Sequence, residues 1–107
     1  TVAIYGSNQV AAEGILTANV NLNVLGSDPT QNVLAVGFDA GATIKTAVRD
    51  GIMLGAVTQA PMEMGRVTVE TLTKIADNET VSDIATPCYW YHAQNMDEDK
   101  IAPNLYD

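Results

Sequence analysis

Val33-Leu34-Ala35-Val36-Gly37-Phe38-Asp39 is the stretch that decides the fold: six uncharged, mostly apolar residues stopped by an aspartate. A run this short, ended by turn-forming residues, reads as a strand buried in a sheet. Downstream, Ala40 to Asp50 has helical spacing, with Ile44, Ala47 and Val48 inward and Lys45 and Arg49 outward. Gly51 follows where a helix closes in a left-handed cap. Ile52 to Thr58 is a further apolar run ending at Gln59, and Pro61 suits the first turn of the next helix. In that helix Gly65, Val69, Leu72 and Ala76 share a face, Met62 and Met64 read as packing residues, and Glu70 and Lys74 form an i,i+4 pair.

Upstream, Val2 to Tyr5 is another apolar run, closed by Gly6-Ser7-Asn8. From Gln9 a helix is predicted with Ala11, Ile15, Ala18 and Leu22 on its inner face. Asn21 to Asn32 reads as a loop, with Leu22, Val24 and Leu25 tucked against the core. At the other end, Ile84 to His92 is extended and aromatic, and Ala93 to Asp107 is a polar, acidic wrap with at most one helical turn. The order β-α-β-α-β-α-β predicts an α/β fold, a mainly parallel sheet flanked by helices, with strands buried on both faces and right-handed crossovers.

The chain has 107 residues, 47% of them hydrophobic and 17% charged, which suits one globular unit with a core. A net charge of -8 excludes a basic nucleic-acid footprint and disfavours an anionic membrane surface. No apolar run approaches the ~18 residues that span a bilayer, and no signal peptide is visible. An opening at Thr1 directly into an apolar run reads as a processed product or a fragment.

Three polar residues recur at equivalent places: Asn8 after the first strand, Asp39 after the second and Gln59 after the third. In an open parallel sheet the carboxyl ends of the strands share one edge, and ligands bind in the crevice outside it. An amide, a carboxylate and an amide along one rim offer donors and acceptors together, which suits the hydroxyls of a polyol. Asp39 would repel a phosphate. The competing structural role is capping, and Asn8 is a good N-cap.

Other candidates are weaker. Gly37 to Gly41 lacks the spacing and lysine of a phosphate loop. Ser7 has no His/Asp partners and no Gly-x-Ser-x-Gly context. His92, the only histidine, has no nameable acid/base partner, so no catalytic residue is assigned and the chain is not read as an enzyme. Cys88, the only cysteine, reads as a packed, inert thiol, and no metal site or cofactor is expected. Tyr89-Trp90-Tyr91 is a strand burying alternate rings. Asp97, Glu98 and Asp99 read as a solvated tail.

Four segments, in order, resemble periplasmic sugar-binding proteins of the ribose-binding type, components of ABC transporters. Ala3 to Asn8 is similar to their strand-plus-Asn segment, and Val33 to Asp39 to the strand ending in Gly-Phe-Asp. Ile44 to Gly51 resembles the helix and glycine that follow. Gly55 to Gly65 resembles a Gln-x-Pro segment leading into a helix. The ending, Trp90 to Asp107, looks like a C-terminal extension of a subset of the family. The resemblance implies a part of a two-lobed type 1 periplasmic-binding-protein fold. Residues 1–60 would belong to the C-terminal lobe, 61–84 to a helix of the N-terminal lobe, and 85–107 to a crossover strand and tail.

The resemblance also implies that Asn8, Asp39 and Gln59 hydrogen-bond sugar hydroxyls, with Gln59 near the hinge. Gln9 departs from the Asp or Glu often found there. The first lobe, with its aromatic plates and arginine, is missing from the 107 residues, so the half-pocket would bind sugar weakly or not at all. Implied partners are a small sugar and a membrane permease, in the periplasm or, as a lipoprotein, on a Gram-positive cell surface. Exposed sheet edges predict a homodimer or swapped oligomer. The alternative from another class is the effector-binding domain of a LacI-type transcriptional regulator, which shares the fold.

Overall fold

The computed structural model describes residues 1–106. The element order is β1 (Ala3–Tyr5), α1 (Gln9–Leu22), β2 (Leu34–Phe38), α2 (Ala42–Arg49), β3 (Gly55–Gln59), α3 (Pro61–Ala76), β4 (Cys88–Tyr91) and a short 3₁₀ turn, Ala102–Asn104. The alternation expected from the sequence is therefore present. One sheet runs in the order β1-β2-β3-β4. β1 to β3 are parallel, with Tyr5 opposite Val36 and Gly37 opposite Ala56, and β4 is antiparallel to β3, with Tyr91 opposite Ala56. The third strand starts at Gly55 rather than Ile52, because residues 51–54 are spent turning from α2 back to the sheet.

The sheet is covered on one face only, which corrects the expectation of strands buried on both. α1 and α2 pack on each other, on β2 and on β3. They lie over Ala35, Gly37 and Ala56, whose small side chains permit close approach: a Cβ on Gly37 would come within 3.3 Å of both Ala12 Cβ and Met53 Sδ. The alternating residues point the other way. Tyr5 and Trp90 on that side are 56% and 45% exposed, and Leu34, Val36 and Val57 are half-buried. The third helix does not cover this face: α3 has no buried residue, and its main partner element is the 3₁₀ turn. Hence the molecule is elongated, 58 × 25 × 21 Å, with a radius of gyration of 17.0 Å. A compact domain of this length would have about 13 Å.

Side-chain placement departs from expectation in several places. The inner face of α1 carries Ala12 and Leu16; of the predicted stripe Ile15 is half-buried against the core while Ala11, Ala18 and Leu22 are exposed, and in the loop Val24 is exposed while Leu25 packs against the core as expected. The cause lies at Gly6, where a Cβ would fall 2.5 Å from Ala12 N. The strand end and the helix backbone touch there, so Ala12 must face the sheet. Met62 and Met64 are exposed on α3, where only Glu63, Val67 and Thr71 are half-buried, and Glu70 accepts from Arg66 (2.6 Å) rather than pairing with Lys74. Cys88 is exposed, not packed. The α2 assignments hold: Ile44, Ala47 and Val48 are buried, and Gly51 has φ 77°.

β4 is fixed by its tyrosines. Tyr91 is fully buried, Tyr89 half-buried, and Trp90 turns outward, the alternation expected of this strand. The Tyr91 hydroxyl donates to the Asp39 carbonyl oxygen (2.8 Å), tying β4 to the end of β2. Burial, then the neighbouring Tyr106 and Asp39, push the Tyr91 phenol well above the usual tyrosine range.

Two outcomes follow. Gly6→Ala forces backbone from backbone and costs about 1–3 kcal/mol in urea unfolding. Tyr91→Phe removes one hydrogen bond, costing about 1 kcal/mol. Because the folded state keeps the Tyr91 proton longer than the unfolded chain does, stability is fully present below about pH 10 and declines as pH rises further. Tyr91→Phe flattens that decline, measurable by unfolding between pH 8 and 11.

Candidate ligand-binding rim

Each candidate residue sits at the carboxyl end of a parallel strand: Asn8 three residues after β1, Asp39 directly after β2, and Gln59 as the last residue of β3. The parallel register brings these ends to one edge of the sheet. Asp39 is the centre. Its backbone is left-handed (φ 74°), a conformation short polar residues tolerate better than others. Its amide donates to Val57 O (2.8 Å), continuing the ladder to β3. One carboxylate oxygen accepts from Gln9 N (3.2 Å), at the start of α1, and the other from Gln59 Nε2 (3.1 Å).

Asp39 and Gln59 are thus brought into direct contact. Asn8 is not bonded to either, and acts in the fold as an N-cap. It has extended backbone, and its side-chain oxygen accepts from Ala11 N (2.8 Å). The capping role weighed for Asn8 is the one observed here. The cap uses the acceptor of the amide and not its Nδ2 donors. Asn8 and Gln59 are exposed and Asp39 is half-buried.

Three residues absent from the sequence-based set belong to this corner. Gln9 donates its backbone N–H to Asp39 and its Nε2 to Glu13 (3.1 Å), and it lies so close to Gly41 that a Cβ there would meet Nε2 at 2.6 Å. Tyr91 holds the Asp39 carbonyl. Tyr106, from the tail, donates its hydroxyl to Gln9 Oε1 (3.4 Å). Burial raises the Tyr106 phenol above its ordinary value. A bond to the Ala40 backbone opposes that rise, and the Asp39 carboxylate adds to it through its charge and through hydrogen bonding to the phenol. The buried-ring alternation in β4 was a signal for Tyr91. No periodicity could announce Tyr106, which meets Gln9 across 97 residues of sequence.

The rim presents both hydrogen-bond donors and acceptors. A carboxylate has about four acceptor directions, and Asp39 spends two on Gln9 and Gln59. Gln59 keeps its carbonyl oxygen and a second N–H. Among the described residues no group of three or more His, Cys, Asp or Glu is placed to hold a metal. A separate cavity of 630 Å³ between α1 and α2, lined by Leu16, Asn19, Val20 and Thr46, contains none of the rim residues.

No protein-family model matches the chain, and no curated protein does. Solved structures do. The chain is 33% identical over its full length to an "ABC transporter, LacI family transcriptional regulator" from Brachyspira murdochii, with a TM-score of 0.88. It is 30% identical over 97% of its length to an ABC transporter solute-binding protein from Agrobacterium vitis with bound D-fucose, with a TM-score of 0.84. A second Agrobacterium vitis solute-binding protein, bound to tagatopyranose, matches 99% of the chain with a TM-score of 0.86 at 19% identity, a likeness of fold alone. The chain spans 36%, 34% and 34% of these three proteins. It therefore carries part of the type 1 periplasmic-binding fold, the fold of the ABC-transporter sugar-binding proteins that it is similar to along its whole length.

Proposed function

We propose that this chain supplies one side of the sugar site in the solute-binding component of an ABC transporter, and that it binds rather than transforms its ligand. The observation that carries the reading is the Asp39–Gln59 pair at the carboxyl edge of a parallel sheet, with the Asn8 amide alongside. Asp39 accepts from sugar hydroxyls, Gln59 both donates and accepts, and Asn8 donates. The D-fucose held by the Agrobacterium vitis protein, 30% identical over nearly the whole chain, supports a monosaccharide as ligand.

In this reading residues 1–60 belong to one lobe, α3 to the facing lobe, and 85–106 return across the hinge. The absence of any buried residue in α3, among the described residues, supports this division. Closure of the lobes desolvates the sugar, and the closed form docks on a membrane permease, outside the cytoplasmic membrane. A second reading, the effector-binding part of a LacI-type regulator, is favoured by the description of the Brachyspira murdochii protein, which names both roles.

Titration calorimetry of the full-length gene product against D-fucose and a panel of free pentoses and hexoses tests the sugar site. Asp39→Ala lowers affinity at least 100-fold, the upper range for hydrogen bonds to a charged group, and Gln59→Ala about tenfold. Asn8→Ser keeps a capping oxygen and stability but loses the amide donor, so affinity falls while the melting temperature holds. Wild-type affinity in Asp39→Ala overturns the assignment.

A further inference from the structure

We propose that Tyr106, carried to the rim by the C-terminal tail, is a positioning residue for the Asp39 carboxylate. The inference rests on the sugar-site reading. The segment is anchored firmly just before Tyr106. Thr58, fully buried in β3, donates its hydroxyl to Asn104 O (2.8 Å). Asn104 Nδ2 donates back to Lys100 O (3.1 Å), and Ile101 and Asn104 are themselves buried. Nearby, the Lys100 ammonium lies 5.6 Å from the Tyr89 ring centroid. Leu105 packs against the core.

From this anchor the Tyr106 ring, 37% exposed, reaches the corner where β1, α1 and β2 meet. Its hydroxyl donates to Gln9 Oε1, and the same Gln9 gives its backbone N–H to Asp39. Gln9 is wedged against Gly41, so its amide has little room to turn once the phenol holds its oxygen. The carboxylate therefore has two supports of different kinds. Gln59 is exposed and belongs to the ligand side. Gln9, braced by Tyr106, belongs to the fold. When a sugar hydroxyl engages Gln59 and draws it from Asp39, the Tyr106–Gln9 brace keeps the carboxylate aimed at the ligand.

The test uses the full-length gene product, with D-fucose and the same sugar panel read by calorimetry, and three variants. Tyr106→Phe keeps the ring and loses only the hydroxyl, and is expected to weaken binding about 5- to 10-fold with no change in melting temperature. Leu105→Val loosens the tail without removing the phenol, and is expected to lower the melting temperature while affinity stays within twofold. Asp39→Ala reports on the sugar site itself. Wild-type affinity in Tyr106→Phe, with binding lost in Asp39→Ala, overturns the positioning role alone. Equal losses in Leu105→Val and Tyr106→Phe also overturn it, since the tail then acts only as packing. If Asp39→Ala binds as wild type does, or the wild type takes up none of the sugars, the sugar reading fails and this inference falls with it.

Discussion

The left-handed turn at Asp39 is the constraint on which the rest of the structure depends. One residue closes β2, continues the ladder through its amide to Val57, receives the start of α1 on one carboxylate oxygen and Gln59 of β3 on the other, and presents its carbonyl to Tyr91 of β4. Four elements that are distant in sequence are referenced to it. A carboxylate held by a backbone N–H and a side-chain amide is oriented by the fold itself, and at the proposed sugar site preorganisation of that kind reduces the cost of binding.

Much of this was legible in the sequence because it depends on local rules. Short apolar runs ended by Asn8, Asp39 and Gln59 mark strand ends, Pro61 and Gly51 mark helix boundaries, and the parallel sheet then dictates that the three polar residues share an edge. What was not legible depends on contacts that leave no periodic trace. The inner face of α1 is set by the clash-free approach of Gly6 to Ala12, two residues too small to stand out in a hydrophobic pattern. Gln9 looked like a departure from the family pattern, yet its backbone is what holds Asp39. Tyr106 lies in a tail whose sequence announces only irregularity.

The one-sided sheet and the exposed α3 have a common origin. Both α1 and α2 fall on the Gly37–Ala56 face, so the third helix is free to leave, and its apolar residues Val69, Leu72 and Ile75 remain at the surface. The sequence correctly showed α3 as an amphipathic helix but could not show which side its apolar face would meet. In the proposed reading, the edge that gathers Asn8, Asp39 and Gln59, beside a helix that leaves the sheet, forms one wall of a ligand cleft.

The most direct test of the central claim is a crystal structure of the full-length gene product with its tightest-binding sugar from the panel. The account predicts sugar hydroxyls within hydrogen-bonding distance, about 2.6–3.2 Å, of the Asp39 carboxylate and the Gln59 amide, with Gln9 N still bonded to Asp39. A sugar bound elsewhere, for instance between α1 and α2, with the Asp39–Gln59 pair untouched, would contradict it.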